Sequence, residues 1–454
     1  MTTPAGNYSQ VEIPAWLPAL LFVASSAVLA VVASSFNPHV ILHLTLFAVG
    51  LALTYACSPR GEVPTLIGAY LSAYLIRVAA ILIVQQLAPG GLMFLDDGGY
   101  DQQAQYLASG WSLSNLVYDD LGTSHTGYPI LLGSLYGFLG RSVLSGKFLN
   151  AFFGGLTAPV AYFLAVEISG NRKVGRMSAW LTALFLYDVM WAGFLLKDTI
   201  LLFLFTTTVL FLVRFAKTHR ITMLLAGCGL VIVLQFFRFY SIAVIVLAAL
   251  AGLVLSVTHA GMPPSRNRRL AAGLTGLTIA AGVVWWFFAK YGETVGVLLR
   301  YAQALEQFDS TGNTLLRFAP SLAFIQQFLK AIVVYQLGPF PWVFSGVDIG
   351  GTVFYPGMYL IYALAPFFLI GCVRLVKALD GPKAFALAVL LLHAMVEIFM
   401  YQSGGRQRIM VDVLFVICAA VGWSAGSKKW QFVIAIYGAL LIFAAVHIAG
   451  RGTY

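Results

Sequence analysis

Apolar runs of about twenty residues recur along almost the whole chain, broken by short polar connections, and nothing else constrains the fold as strongly. A helix needs about 20 consecutive apolar residues to cross the roughly 30 Å hydrocarbon core of a bilayer. Runs of that kind lie near 13–34, 38–57, 63–87, 147–168, 174–195, 199–217, 220–237, 240–257, 270–289, 354–373, 384–401, 409–426 and 431–449. The composition agrees: 60% of the 454 residues are hydrophobic and only 10% are charged, far from the quarter or so typical of soluble domains. The expected fold is therefore an all-α membrane protein, one integral domain over 1–454 with about thirteen transmembrane helices. The first twelve residues lack the basic region of a signal peptide, so the first apolar run is expected to stay as a membrane helix.

The net charge of +10 does not form a nucleic-acid surface. Lysines and arginines sit in short connections: Arg60, then 171–176, then Arg214, Lys217 and Arg220, then 265–269, then Arg374, Lys377 and Lys383, then Lys428 and Lys429. By the positive-inside rule that side is cytoplasmic. The other side holds two long connections, 88–146 and 290–353, with Asp96, Asp97, Asp101, Asp119, Asp120, Glu293, Glu306, Asp309 and Asp348. Nucleic acid is excluded as a partner; membrane lipids are not. The expected location is a multi-pass protein of a bacterial inner membrane whose acidic loops face the periplasm. The four cysteines, Cys57, Cys228, Cys372 and Cys418, have no metal-ligand spacing and read as packing residues.

Within the long connections, Tyr100, Ala104, Leu107 and Trp111 recur at helical spacing with glutamines between them, the pattern of an amphipathic interfacial helix. GYPILLGSLYGFLG (127–140) is apolar but too short to span and reads as a second interfacial or re-entrant helix. Val295, Leu298, Leu299, Ala302 and Leu305 form another stripe in the second connection, ahead of LGPFPW.

Several ionisable groups then stand out. Asp96 and Asp97 follow an apolar span, where a partly desolvated carboxylate has the pKa of a useful base; the alternative is a pair of solvated capping residues. FLLKD places Lys197 and Asp198 at the outer end of the fifth span, as a site or as a snorkelling lysine and a helix cap. Arg238 in FFRFYS, and Arg406 and Arg408 in GGRQRIMVD, break the positive-inside pattern by gathering guanidinium groups on the outer face. A guanidinium holds phosphate by two-point contact, and a lipid phosphate lies at that depth. Asp412 stands four residues after Arg408, at helical ion-pair spacing. His125 and Tyr128 flank the start of the 127–140 segment. No P-loop, dinucleotide fingerprint, nucleophile elbow or zinc motif is present, and the cytoplasmic loops are too short for a nucleotide-binding domain, so a sugar nucleotide is not the expected donor.

The order of these pieces, from the acidic pair through GYPILLGSLYGFLG and SGKFLNAFFGGLTAPVAYFLAVEISGNRKVGRMSAWLTALF to FLLKD, resembles the GT-C superfamily of multispan glycosyltransferases that use polyprenyl-phosphate-linked sugars. It is nearest in pattern to the protein O-mannosyltransferase and aminoarabinose transferase branch, over roughly residues 90–220. The acidic pair follows a third span here, where the family usually places it after the first. The resemblance implies a catalytic base at Asp97 or Asp96 and a second acid, Asp198, that assists or binds a metal. It implies that Lys197, Arg238, Arg406 and Arg408 hold the lipid phosphate; from their places in the first long connection, Tyr128, His125 and Asp101 are further candidates for substrate binding, a solvated loop histidine being the alternative for His125. The cofactor is otherwise unknown; a divalent ion, Mg or Mn, is the candidate, with Asp97 and Asp198 as ligands. The implied partners are a polyprenyl-phosphate-linked sugar donor and a glycan, lipid or protein acceptor. The competing readings are a polymerase or ligase of lipid-linked polysaccharide, and a transporter or flippase of lipid-linked glycans.

Overall fold

The computed structural model describes residues 38–110, 126–238, 240–259, 349–400 and 408–426, with a few isolated positions beyond them. The expected spans near 13–34 and 431–449, most of the one near 270–289, His125, Arg406 and the second long connection up to 348 lie outside the described residues.

All regular structure among the described residues is helical. In chain order the helices are α1 (Pro38–Cys57), α2 (Val63–Leu87), α3 (Leu95–Ala108), α4 (Gly127–Leu139), α5 (Val143–Ser169), α6 (Arg172–Ala183), α7 (Leu186–Ala192), α8 (Asp198–Thr218), α9 (Ile221–Phe237), α10 (Ser241–His259), α11 (Ile349–Lys377), α12 (Gly381–Met400) and α13 (Asp412–Ala425). Five described segments are long and apolar enough to cross a membrane: α1, 60–87 including α2, α5, α8 and 357–377 of α11. Shorter apolar helices coincide with α4 and α9, part of α10 and α12, and 409–425. The chain is an integral membrane protein.

α5 is the hub, packed against α2, α6 and α8. Two-thirds of its apolar window is buried (67%), against 11% for α1, so α5 is core and α1 is periphery. Local chemistry sets its ends. Ser142 Oγ accepts from Ser145 N at 3.2 Å as N-cap, and Gly170 closes the helix with a left-handed φ of 68°. Leu75, Leu82, Ile83, Leu225, Ile232 and Leu369 point outward, an apolar belt suited to lipid.

The two ends of the bundle differ. At one end Arg176 pairs with Glu62 at 2.8 Å, and Arg214 and Lys217 pair with Glu167 at 3.1 and 3.3 Å. These join the start of α2, the end of α5, the start of α6 and the end of α8, which are the basic connections of the sequence. The other end holds α3, α4 and the residues around Asp97 and Asp198. At about 1.5 Å per residue α3 and α4 are roughly 20 Å long, too short to cross. They pack on one another, Gly133 leaving room for Leu107 and the Ala104 carbonyl.

One expected span is not continuous. The run near 174–195 forms two short helices, α6 and α7, parted at Leu184–Phe185, where ψ of 8° and 87° leaves helical geometry. Beyond α7 the chain runs on to α8 without regular structure over 194–197. Irregular backbone is tolerated at membrane depth only where protein satisfies its polar groups. Here Asn150 of α5 does so, its Nδ2 donating to the carbonyls of Phe194 at 2.9 Å and Leu196 at 3.0 Å.

α11 and α13 approach through glycine. A Cβ on Gly371 would overlap the Cys418 carbonyl, and one on Gly422 the Phe367 carbonyl, so the two backbones touch where small residues allow it. Gly422→Val is expected to cost about 1–3 kcal/mol by overpacking. The check is a lowered midpoint of thermal unfolding in detergent, with Gly229→Val, in open space, as the control that shifts it little.

Candidate functional site

The site begins at the chain reversal between α2 and α3. Gly90 and Gly91 both take left-handed backbone, φ 73° and 77°, which only glycine adopts cheaply. Phe94 is extended at the N-cap of α3, and Asp97 stands in the third helical position. Its Oδ2 reaches back to accept from the amides of Met93 at 3.1 Å and Phe94 at 3.4 Å, so the carboxylate satisfies helix-start donors and sits at the positive end of the helix dipole. Asp97 is fully buried.

Lys147 of α5 closes the reversal from the other side. Its Nζ donates to the Gly91 carbonyl at 2.6 Å and lies within the electrostatic field of Asp97. Three residues on, Asn150 accepts from the Tyr128 hydroxyl at 3.5 Å while its amide holds the 194–196 backbone. Tyr128 of α4 meets the Tyr100 ring of α3 edge-on, centroids 5.2 Å apart. Lys197 Nζ lies 5.9 Å from the Tyr100 ring centroid. Next to it, Asp198 opens α8 and faces Arg238 Nη2 at 3.7 Å. Arg238 caps the end of α9, donates through Nη1 to Tyr240 Oη at 2.8 Å and stacks over that ring, and Tyr240 in turn touches Met410 Sδ at 3.8 Å.

Asp97, Lys147, Lys197, Asp198 and Arg238 are thus brought into one continuous cluster at one end of the bundle, all buried. Charges removed from water are expensive unless they answer one another. Among the described residues, three basic side chains meet two carboxylates here.

The other expected residues are placed differently. Asp96 is exposed on the first turn of α3. Asp101 is committed to a clamp: it accepts from Tyr136 Oη at 2.9 Å, Gln105 Nε2 at 2.8 Å and Arg141 Nη2 at 2.7 Å. That bond pushes the half-exposed Arg141 guanidinium above its already high pKa, and Asp101 ties α3 to α4 and the start of α5. Arg408 is buried against Asp412, Nε to Oδ1 at 2.7 Å, with its guanidinium 5.3 Å from the Tyr187 ring centroid. It joins Asp412, Asp188 and Arg77 in a second buried charge group, reached from Arg238 through Tyr240 and Met410. The i,i+4 spacing of Arg408 and Asp412 is realised as an ion pair. Of the carboxylates expected to ligate a divalent ion, Asp97 holds two amides and Asp198 faces Arg238. Among the described residues no group of three His, Cys, Asp or Glu side chains gathers.

Asn150 and Arg77 lie inside apolar runs, and Lys147 stands at the very start of the run 147–168, one turn inside α5. Their signal is that position itself: an ionisable or amide side chain within a membrane span is costly, and so calls for a partner.

No family model matches the sequence, and neither does any curated protein. Among solved structures, the apo Archaeoglobus fulgidus oligosaccharyltransferase is similar at 14% identity with a TM-score of 0.46, over 86% of this chain and 56% of that one. The archaeal oligosaccharyltransferase AglB of Archaeoglobus fulgidus, in complex with an inhibitory peptide and a dolichol-phosphate, gives 12% and 0.43 over 85% and 56%. The Archaeoglobus fulgidus oligosaccharyltransferase complex with Zn and sulfate gives 14% and 0.41 over 84% and 53%. The chain therefore spans little more than half the length of these proteins. The likenesses are loose, and the residues described above carry the functional reading on their own.

Lys147→Met removes the bond to Gly91 and leaves that carbonyl and the field of Asp97 unanswered. It is expected to lower stability by about 1–3 kcal/mol. Limited proteolysis should show earlier cleavage in 88–94, whereas the exposed Lys173→Met should leave the pattern unchanged.

Proposed function

We propose that the chain is a GT-C-type glycosyltransferase that moves a sugar from a polyprenyl-phosphate-linked donor to an acceptor hydroxyl at the non-cytoplasmic face. What supports the reading is the meeting of a buried, amide-anchored carboxylate, Asp97, with Lys147, Lys197, Asp198 and Arg238 at the end of the bundle away from the basic rim. The resemblance in sequence order points the same way.

The chemistry follows from those groups. The acceptor oxygen attacks the anomeric carbon as Asp97 takes its proton; the bond from that carbon to the lipid phosphate breaks, and the phosphate leaves with the electron pair. One displacement inverts the anomeric configuration. The leaving phosphate gains negative charge, which Lys197 and Arg238 stabilise, and their burial makes each interaction worth more than it would be in water. Asp198 holds Arg238 in place. The Met93 and Phe94 amides fix one oxygen of Asp97, and the other is the one that takes the proton.

The test uses purified protein in nanodiscs with synthetic polyprenyl-phosphate-linked hexoses, following release of polyprenyl phosphate. Asp97→Asn keeps an oxygen for the Met93 and Phe94 amides and loses the proton acceptor, so turnover should fall by about 10²–10⁴-fold in protein that still folds, with a lowered unfolding midpoint because Lys147 loses its counter-charge. Arg238→Gln should weaken donor binding. Parental turnover in folded D97N would remove Asp97 as the base, and no release from any donor with the parental protein would overturn the reading.

A further inference from the structure

The exposed side of α6 changes character in one line along the helix. Arg172, Arg176, Trp180 and Leu184 follow one another four residues apart, all exposed, with Lys173 beside the first of them. Residues four apart lie on one face. The opposite face, with Val174, Gly175, Ser178, Ala179, Thr182 and Ala183, is buried. Two guanidinium groups and an ammonium thus give way to an indole and then to an isobutyl group over roughly 18 Å.

That order follows the depth of a leaflet. α5 has 27 residues, about 40 Å, and exceeds the roughly 30 Å hydrocarbon core, so its last turn reaches headgroup depth. α6 turns back along α5 from Gly170, and a Cβ on Gly175 would approach Val166 Cγ2 to 2.6 Å and Tyr162 Cδ2 to 2.9 Å. The start of α6 therefore lies at the level of the phosphates, with Trp180 and Leu184 deeper, among acyl chains. Helices that bind a membrane interface combine the same groups, basic residues at the headgroups and aromatic and aliphatic ones beneath.

Neighbouring elements hold this line in place. Glu62, buried ahead of α2, accepts from Arg176 Nε at 2.8 Å and Nη2 at 2.9 Å, a two-point pair that keeps the half-exposed guanidinium at the surface. Trp180 leans across to α2, its Cζ2 3.3 Å from where a Cβ on Gly68 would stand. Glu62 is taken up by Arg176, and Glu167 by Arg214 and Lys217; among the described residues Arg172 and Lys173 enter no ion pair. Arg60, two residues before Glu62, is exposed on the same rim. The connections 58–62 and 170–171 are described throughout and set one carboxylate against these four basic side chains.

We propose that the start of α6, with Arg60, binds the headgroup of an anionic phospholipid in the leaflet at the basic end of the bundle. Arg172 and Lys173 take the phosphate, which a guanidinium holds by two-point contact. Trp180 and Leu184 lie along the acyl chains that follow it. Basic clusters at the ends of membrane helices recognise anionic lipid in this way. A soluble phosphate would engage the cations alone and leave the apolar half of the line bare. The site lies at the opposite end of the bundle from Asp97 and is independent of the sugar-transfer reading.

The unfolding midpoint of the purified full chain is measured in nanodiscs of phosphatidylcholine alone and of phosphatidylcholine with phosphatidylglycerol. Phosphatidylglycerol is expected to raise it by several degrees, because a ligand of the folded state stabilises that state. R172Q/K173Q should match the parent in the neutral discs and lose at least half of the rise. R220Q/K377Q removes the same charge from exposed positions elsewhere on the rim and should keep it. Glycerol 3-phosphate added to neutral discs should leave the midpoint unmoved. If R172Q/K173Q does not fold, K173Q takes its place in the same comparison. No rise in the parent, a rise that R172Q/K173Q keeps, equal loss in both double variants, or a rise with glycerol 3-phosphate as large as with the lipid would each overturn the proposal.

Discussion

A polar group that leaves water inside a membrane protein must find its answer in the protein, and this requirement organises the molecule. Arg408 finds Asp412 within its own segment, but Lys147 meets the Gly91 carbonyl and Arg238 the carboxylate of Asp198 from elsewhere in the chain. Because the partners come from different parts of the chain, satisfying them fixes the tertiary arrangement. The apolar surface that drives association is non-directional. The polar contacts supply direction.

The same rule explains where the backbone departs from helix. Two interruptions define the candidate site, the glycine reversal at 89–91 and the stretch over 194–197 between α7 and α8, and each is paid for by one side chain of α5. Lys147 and Asn150 are three residues apart, on one face of the helix that forms the core. A single rigid helix thereby positions both carboxylate-bearing elements. The clamp on Asp101 adds α3 and α4 to the same frame from outside.

Much of this was legible in the sequence, and for identifiable reasons. Helices α1, α2, α5, α8, α9 and α11 match apolar runs because a bilayer demands length and apolarity together. The helix at 127–139 shows its brevity directly. The run 174–195 misleads, since hydropathy is blind to whether a helix is continuous; the backbone leaves helical geometry at Leu184–Phe185. Among the site residues, Asp97, Lys197, Asp198 and Arg238 lie at ends of apolar runs, and Tyr128 opens the short helix beside them. Asp101 and Arg408 carry the same residue types but are consumed by Arg141 and Asp412, and sequence spacing discloses the second of these pairings only. Arg77 is a single charge inside a long apolar run and Lys147 the first residue of another, and hydropathy averages both away.

The left-handed pair Gly90 and Gly91 has one more consequence. Side chains are excluded there by backbone conformation, while the length of the turn is set by the span from Leu87 to the capped start at Phe94. Insertion, deletion and replacement are all penalised at the same few positions. Drift among descendants of this chain should therefore spare this hairpin as a fossil of its architecture, and spend its freedom on the outward ends of α3 and α4.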